Sequence, residues 1–347
     1  PHRGIMSLAL KLLVVGPNPA LQKVVSFDHQ QLVLGGVNRA ICTDRYVGGK
    51  GQGVALALHR WSPGSSTVAH FLGGDTGQYV ENSMHEAGVE QVTQHTTAAT
   101  RICTTLLDDG GRSTELIEPS GKVAPAELDG LLVKLADLDP TRYGGIAFCG
   151  TTPPGASSLY VDAAGRCSQE TLLMLDAFKS TDVALLLESG RVDVLKLNVD
   201  EVKELTATTS VKEAASSLLK GPEAALRRPG AMLALTDGPH SAFLYSALGA
   251  WRLQVPTIKC VNAIGAGDVC TGIFLHSLVA AVQTTEAPGS SGAAGLDGDA
   301  IVDAFAWGLA AACARCTHQM PTEFTAAEVK AVRNQIRIES IAFTPAS

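Results

Sequence analysis

Asp268 stands directly behind Gly265, Ala266 and Gly267 in NAIGAGDVCTGIFL, and ahead of it runs an apolar pattern with near-helical spacing. Small residues at the mouth of a helix let backbone N–H groups approach an anion, and a carboxylate beside that anion can take a proton from an attacking hydroxyl. A plain reading competes with this one: an Asp at the start of a helix commonly serves as its cap. A cap needs one carboxylate and not three small residues ahead of it. The stretch is no dinucleotide fingerprint, because Cys270 occupies the place of the third glycine.

Three further groups could take part in chemistry. VGGKGQGVALAL sets Gly48, Gly49, Gly51 and Gly53 around Lys50, but Val54 stands where a P-loop needs its lysine. The stretch is therefore either an anion-binding loop or a tight strand-to-helix turn. LKLNVDEVKEL ends an apolar run in Asn198 and places Glu201 three residues on. That spacing suits a helix cap, and it equally suits polar groups that order a metal-bound phosphate through water. Arg101, in TRICTTLLDDGG, is either a phosphate-binding guanidinium or a solvated charge.

The elements that must position these residues alternate along the chain. LKLLVVG, TVAHFLGG, GIAFCG, TLLMLDA, VDVLKLN and AMLALTDG are strand candidates. Between them lie the amphipathic stretches GVALALHR, VENSMHEAG, AELDGLLVKLADL and STDVALLLESG, the last with Ser180 and Thr181 as candidate caps and Gly190 as a stop. Such alternation predicts an α/β fold with a mostly parallel sheet flanked by helices and ligands at the carboxyl ends of its strands. Two segments, Val24 to Tyr46 and Ala98 to Glu118, read instead as antiparallel strands, the second with a hairpin signal at Gly110-Gly111. They are either a small sheet that covers a cleft as a lid or a plain edge hairpin. APGSSGAAGLDGD, from Ala287 to Asp299, is expected to be a mobile surface loop.

Composition excludes several classes. With 347 residues, 46% of them hydrophobic and 18% charged, the chain can bury a large core. A net charge of −7 argues against a nucleic-acid partner. No uninterrupted apolar run reaches the ~20 residues of a membrane span, so no membrane partner is expected. The eight cysteines lie mostly inside apolar stretches, which suits a reducing compartment. Cys313 and Cys316 have metal-like spacing, but no second pair follows, and a half-buried helix is the better reading. A cytoplasmic address is expected, or an organelle such as the plastid if a transit segment was trimmed ahead of PHRGIM.

In order along the chain, GPNPALQKVVSF, GGVNRA, VGGKGQGVALAL, FLGGDTG, TRICTTLLDDGGRSTELIEPSG, CGTTPPG, LKLNVDEVKEL and NAIGAGDVCTGIF resemble the motifs of the PfkB (ribokinase-like) sugar kinases. The resemblance is to the hexose-phosphate branch, that of the 1-phosphofructokinases and tagatose-6-phosphate kinases. It implies a ribokinase-like fold over residues 1–347 as one kinase domain, with a small β-sheet lid formed by about residues 24–46 and 98–118. It also implies a homodimer clasped through that lid. The implied reaction moves the γ-phosphoryl group of ATP, with Mg²⁺, to a hydroxyl of a sugar or sugar phosphate.

Carried over residue by residue, Asp268 would be the general base, and Gly265, Ala266 and Gly267 the anion hole. Lys196, Asn198, Glu201, Thr236 and Gly238 would hold the nucleotide, with Glu201 reaching the metal through water. Gln22, Arg39, Gly49, Lys50, Gly53 and Arg101 would face the acceptor. The sequence departs from the family pattern mainly on that acceptor side. Gln22 replaces the Asp of NPALD and Gly53 replaces the Asn of GKGxN, while CGT, KLN and Ala263 replace SGS, KPN and a Thr. Losing two groups that bond hydroxyls changes sugar preference. The alternatives are therefore a kinase of a non-phosphorylated sugar or nucleoside, and a catalytically weak relative kept as a binding or scaffold subunit. On this pattern, Gln22→Asp with Gly53→Asn is expected to raise activity on fructose or tagatose phosphates.

Overall fold

The computed structural model describes residues 11–28, 32–109, 112–221, 224–284 and 292–343. Its first strand, β1 (Lys11–Val15), shows why the strands read as unbroken apolar runs. Leu12 and Val14 enter one buried cluster and Leu13 and Val15 another, so both faces of the strand are covered and neither can be polar.

The chain then leaves β1 for β2 (Ala20–Ser26) and β3 (Cys42–Gly48), and returns through α1 (Lys50–Trp61), β4 (Ser66–Leu72), α2 (Gly74–Glu86) and β5 (Glu90–His95). A second excursion makes β6 (Arg101–Leu107) and β7 (Ser113–Ile117). Alternation resumes with α3 (Pro125–Ala136), β8 (Tyr143–Cys149), α4 (Leu159–Arg166), β9 (Leu172–Asp176), α5 (Thr181–Ser189), β10 (Val194–Asn198), α6 (Val199–Thr206), α7 (Val211–Leu219) and β11 (Met232–Thr236). The end of the chain carries β12 (Ser241–Ser246), β13 (Gly249–Gln254), α8 (Ala266–Thr284), α9 (Gly298–Cys316), α10 (Ala326–Arg333) and β14 (Arg337–Ser340).

The large sheet has ten strands in the order β14-β13-β12-β11-β10-β9-β8-β1-β4-β5. It is parallel from β11 to β5, and β12, β13 and β14 extend it antiparallel at one edge. Helices α1, α2, α8, α9 and α10 bury side chains on one face and α3 to α7 on the other. Helix α8 is 19 residues long and has the length and composition of a membrane span. Val269, Ile273, Phe274, Leu275 and Leu278 are nevertheless fully buried in the core, where α8 packs between α1 and α9.

All six predicted sheet strands are present. In α5, Ser180 Oγ accepts the Val183 N–H at 3.3 Å and Gly190 ends the helix at φ 67°, while Thr181 is its first residue and not its cap. Three expectations need correction. The small sheet, in the order β3-β2-β6-β7, starts at Ala20 and not at Val24, and its two antiparallel pairs are joined by a parallel pairing of β2 with β6. Residues 292–295 form a 3₁₀ turn, and Ala293 and Leu296 are tucked into the core, so this part is no loose surface loop. The Gly110-Gly111 signal and residues 287–291 lie outside the described residues. Cys313 and Cys316 are half-buried on α9.

Candidate active site

Four adjacent parallel strands, β8 to β11, end in Cys149, Asp176, Asn198 and Thr236, with Cys149 opposite Asp176 and Asn198 opposite Thr236. The N-terminus of α8 is fastened to these ends by Lys196, whose Nζ donates to the Gly267 carbonyl at 3.2 Å.

Asp176 organises the cluster. It is fully buried and accepts Lys50 Nζ at 2.9 Å and Lys196 Nζ at 3.2 Å, one lysine on each carboxylate oxygen. Thr271 Oγ1 also bonds Asp176 and sits 3.0 Å from the Gly267 carbonyl. Burial alone would push the Asp176 carboxyl up, but Lys196 and Lys50 outweigh it and hold the group at about 2. Burial likewise works against charge on both lysines, and Asp176 overcomes it in each. Sequence reasoning passed over Asp176; the only signal was one carboxylate closing the otherwise apolar run TLLMLDA.

Asp268 experiences the opposite balance. Burial pushes its carboxyl up to about 7, Lys50 offsets part of this, and the neighbouring Asp176 charge adds to it. Its side chain caps no backbone amide among the described residues, so the capping reading is not what the structure builds. At Gly265 a φ of 81° makes the turn that glycine permits, and the Ala266 N–H folds back on the Ala263 carbonyl at 3.2 Å.

The glycines ahead of α1 have mainly packing work. A Cβ on Gly16 would come within 2.7 Å of Gly51 Cα, so the β1–β2 turn and the first turn of α1 touch backbone to backbone. Gly53 lies against Asp268, and a Cβ there would come within 3.0 Å of Asp268 Cβ and Cγ and collide with its carboxylate. This reverses the expectation drawn from the motif. Gln22→Asp with Gly53→Asn should lower the rate about tenfold or more, because Asn at 53 must displace Asp268; steady-state kinetics on the double variant and on Gly53→Ala check it. Gln22 itself donates to Thr105 Oγ1 at 2.9 Å, which in turn donates to Glu115 at 3.0 Å.

Asn198 and Glu201 form a capping box: Asn198 Oδ1 accepts the Glu201 N–H at 2.8 Å and Glu201 Oε2 accepts the Asn198 N–H at 2.9 Å. Glu201 Oε1 has no such bond. Glu201 shares a cleft of about 330 Å³ with Lys50, Arg101, Asn18, Thr151 and Lys179. Gln22, Gly49, Gly53, Gly265 and Asp268 line a second cavity of about 220 Å³. Thr236 ends β11 beside Asn198, and Gly238 follows exposed at φ 52°. Arg39 lies exposed in the β2–β3 connection, and the structure does not bring it to this group.

A carboxyl with a raised pKa beside a helix N-terminus, with cationic side chains at the strand ends, suits chemistry on an anionic group. Residues 20–326 match the model of the pfkB family carbohydrate kinases. Tagatose-6-phosphate kinase of Staphylococcus epidermidis is 27% identical over 267 residues, covering 74% of this chain and 82% of that protein. Among solved structures, phosphofructokinase-2 of Escherichia coli aligns with a TM-score of 0.78 at 17% identity over 94% of this chain and 99% of its own. A ribokinase of Thermotoga maritima aligns at 0.69 with 19% identity, over 94% and 99% of the two chains. The fold is thus ribokinase-like. This chain belongs to the pfkB family, whose members are ATP-dependent carbohydrate kinases.

Proposed function

We propose that this kinase phosphorylates a hydroxyl of a phosphosugar of the fructose- or tagatose-phosphate kind, with Asp268 as general base. The observation that carries the reading is Asp268 itself, held near pH 7 beside the glycine turn of α8. A carboxyl so tuned is basic enough to take a hydroxyl proton and still ionises near neutrality. With the Ala266 N–H held by the Ala263 carbonyl, the Gly265, Gly267 and Asp268 N–H groups are those the turn offers to the transferring phosphoryl group, whose transfer depends mainly on positioning and charge. Lys50 and Arg101 share a cleft, and the two cations together suit an acceptor phosphate.

ATP is assigned to the ends of β10 and β11, with Asn198, Thr236 and Gly238 around its phosphates and Lys196 beneath. Mg²⁺ fits through water. Glu201 has one oxygen tied in the capping box, and among the described residues no group of three His, Cys, Asp or Glu could hold a metal. A hydrated ion shared with the nucleotide phosphates matches that donor set and would neutralise their charge.

The experiment is an acceptor screen: ATP consumption measured with hexose phosphates, free sugars and nucleosides. Turnover on fructose or tagatose phosphates supports the reading. One observation favours a second reading, a non-phosphorylated acceptor, since no Lys or Arg lines the cavity that contains Asp268. Turnover only on free sugars or nucleosides would establish that reading instead. ATP binding with an empty panel would favour the scaffold role.

The small sheet is assigned as the dimer clasp. It and the β2–β3 connection expose Leu34, Val37, Leu116 and Ile117 at 96%, 82%, 53% and 62%, an apolar surface that a second copy would cover. Sedimentation velocity reading a monomer at assay concentration would remove this assignment.

A further inference from the structure

Arg315, near the end of α9, is the largest fully buried side chain of the described residues. Among the described residues it forms no ion pair with a carboxylate. Its Nη1 donates to the carbonyl oxygens of Asn262 at 2.5 Å and His318 at 3.3 Å, while Nε and Nη2 are buried without a partner. A Cβ on Gly265 would lie 3.9 Å from that Nε, which puts the guanidinium directly behind the turn that opens α8. The two segments it joins are stitched further: Asn262 Nδ2 donates to the Gln319 carbonyl at 2.8 Å, and the Val261 and Asn262 N–H groups both donate to the Cys316 carbonyl.

An arginine in the last turn of a helix ordinarily serves the free carbonyls and the helix dipole from the surface. That work explains Nη1 and leaves the enclosed, unspent Nε and Nη2 unexplained. A guanidinium stays charged, and burying it without a carboxylate is unfavourable unless something else uses the charge. The nearest use is the anion hole.

We propose that Arg315 is a positioning residue for phosphoryl transfer. It pins the 262–265 turn against the 316–319 segment and sets a permanent positive charge behind the anion hole, where negative charge builds during transfer. The inference rests on the assignment of Asp268 and the Gly265–Gly267 turn as the transfer site. The charged groups around Asp268 are Lys50 on α1, Asp176 on β9, Lys196 on β10 and Arg315 on α9. The titratable groups around Arg315 are Cys316, Tyr46, Cys260 and Glu323.

The test compares Arg315→Met, Arg315→Lys and Asp268→Asn in the full chain, each checked for folding by circular dichroism. Arg315→Met should lower kcat about 10²-fold with KM for ATP changed less than about threefold. It should also move the acidic limb of the kcat profile to higher pH, because a cation near Asp268 is gone. Arg315→Lys keeps the charge, so it should stay within about tenfold of the parent with the limb unmoved. A folded Met variant within about threefold of the parent kcat overturns the proposal, and so does an equal loss in both variants with no shift of the limb. If the Met variant fails to fold, the Lys variant decides: a loss beyond about tenfold or a shifted limb overturns the proposal. Full activity in Asp268→Asn would overturn the transfer-site assignment itself, and with it this proposal, whereas an inactive Asp268→Asn beside an active Arg315→Met removes only the role of Arg315.

Discussion

Asp268→Asn should lose at least about 10²-fold in rate and, at pH 8, unfold at a higher temperature than the parent. Both effects come from the same displaced carboxyl, whose value of about 7 lies well above its ordinary 3.8. The folded chain favours the neutral acid. Its contribution to stability is therefore complete below about pH 4 and is lost as pH rises through about 7. Asparagine resembles the neutral acid at every pH, so the gain should be absent at pH 4 and fully developed at pH 8. In the parent enzyme kcat/KM should fall below about pH 7 as the base takes up its proton. Melting curves at the two pH values and a pH–rate profile are sufficient. A variant that melts lower than the parent at pH 8, or keeps its rate, would show that Asp268 is neither strained nor the base.

Asp176→Asn should destabilise the chain by about 3–5 kcal/mol, since it strands buried ammonium groups without their counter-ion. The loss should fall mainly on Lys196, whose side chain is 5% exposed, because Lys50 keeps 31% of its side chain in water. Here the carboxyl is held at about 2, below its ordinary 3.8. Its contribution is therefore present above about pH 4 and is lost as pH falls through about 2. Urea unfolding should show the full deficit of the variant at pH 7 and a smaller one at pH 3. An equal deficit at both would mean that the lysines do not depend on the charge of Asp176. Activity should also fall steeply, because Lys196, which donates to the Gly267 carbonyl, loses the carboxylate that fixes it in place.

Much of the scaffold was legible because its signals are local. Apolar runs such as LKLLVVG and the Ser180 and Gly190 ends of α5 declare themselves within a few residues. The same holds for the small residues ahead of Asp268. Features that depend on distant partners stayed hidden. Asp176 acquires meaning only when α1 delivers Lys50 and β10 delivers Lys196, and Arg315 drew no reading from its sequence because its partners arrive only when α9 packs behind the Asn262 turn. The parallel pairing of β2 with β6 joins residues about eighty positions apart, which no local pattern encodes. Asn198 and Glu201 were ambiguous for another reason: a cap and a phosphate-ordering pair use the same atoms, and the structure shows the cap with one oxygen left over. Gly53 misled because its motif suggests a missing side chain, whereas its neighbour Asp268 occupies that space.

The backbone contact between Gly16 and Gly51 has a mechanical consequence. β2 departs from the large sheet just after Gly16, β3 returns just before Lys50, and the first turn of α1 is wedged against the departure point. Any swing of the small sheet would pivot at this contact, next to Lys50, and would change the distance of that ammonium from Asp176 and Asp268. Covering the cleft and adjusting the charge beside the base would then be one movement, and an acceptor too small to hold the sheet down would leave the base mistuned as well as exposed to water.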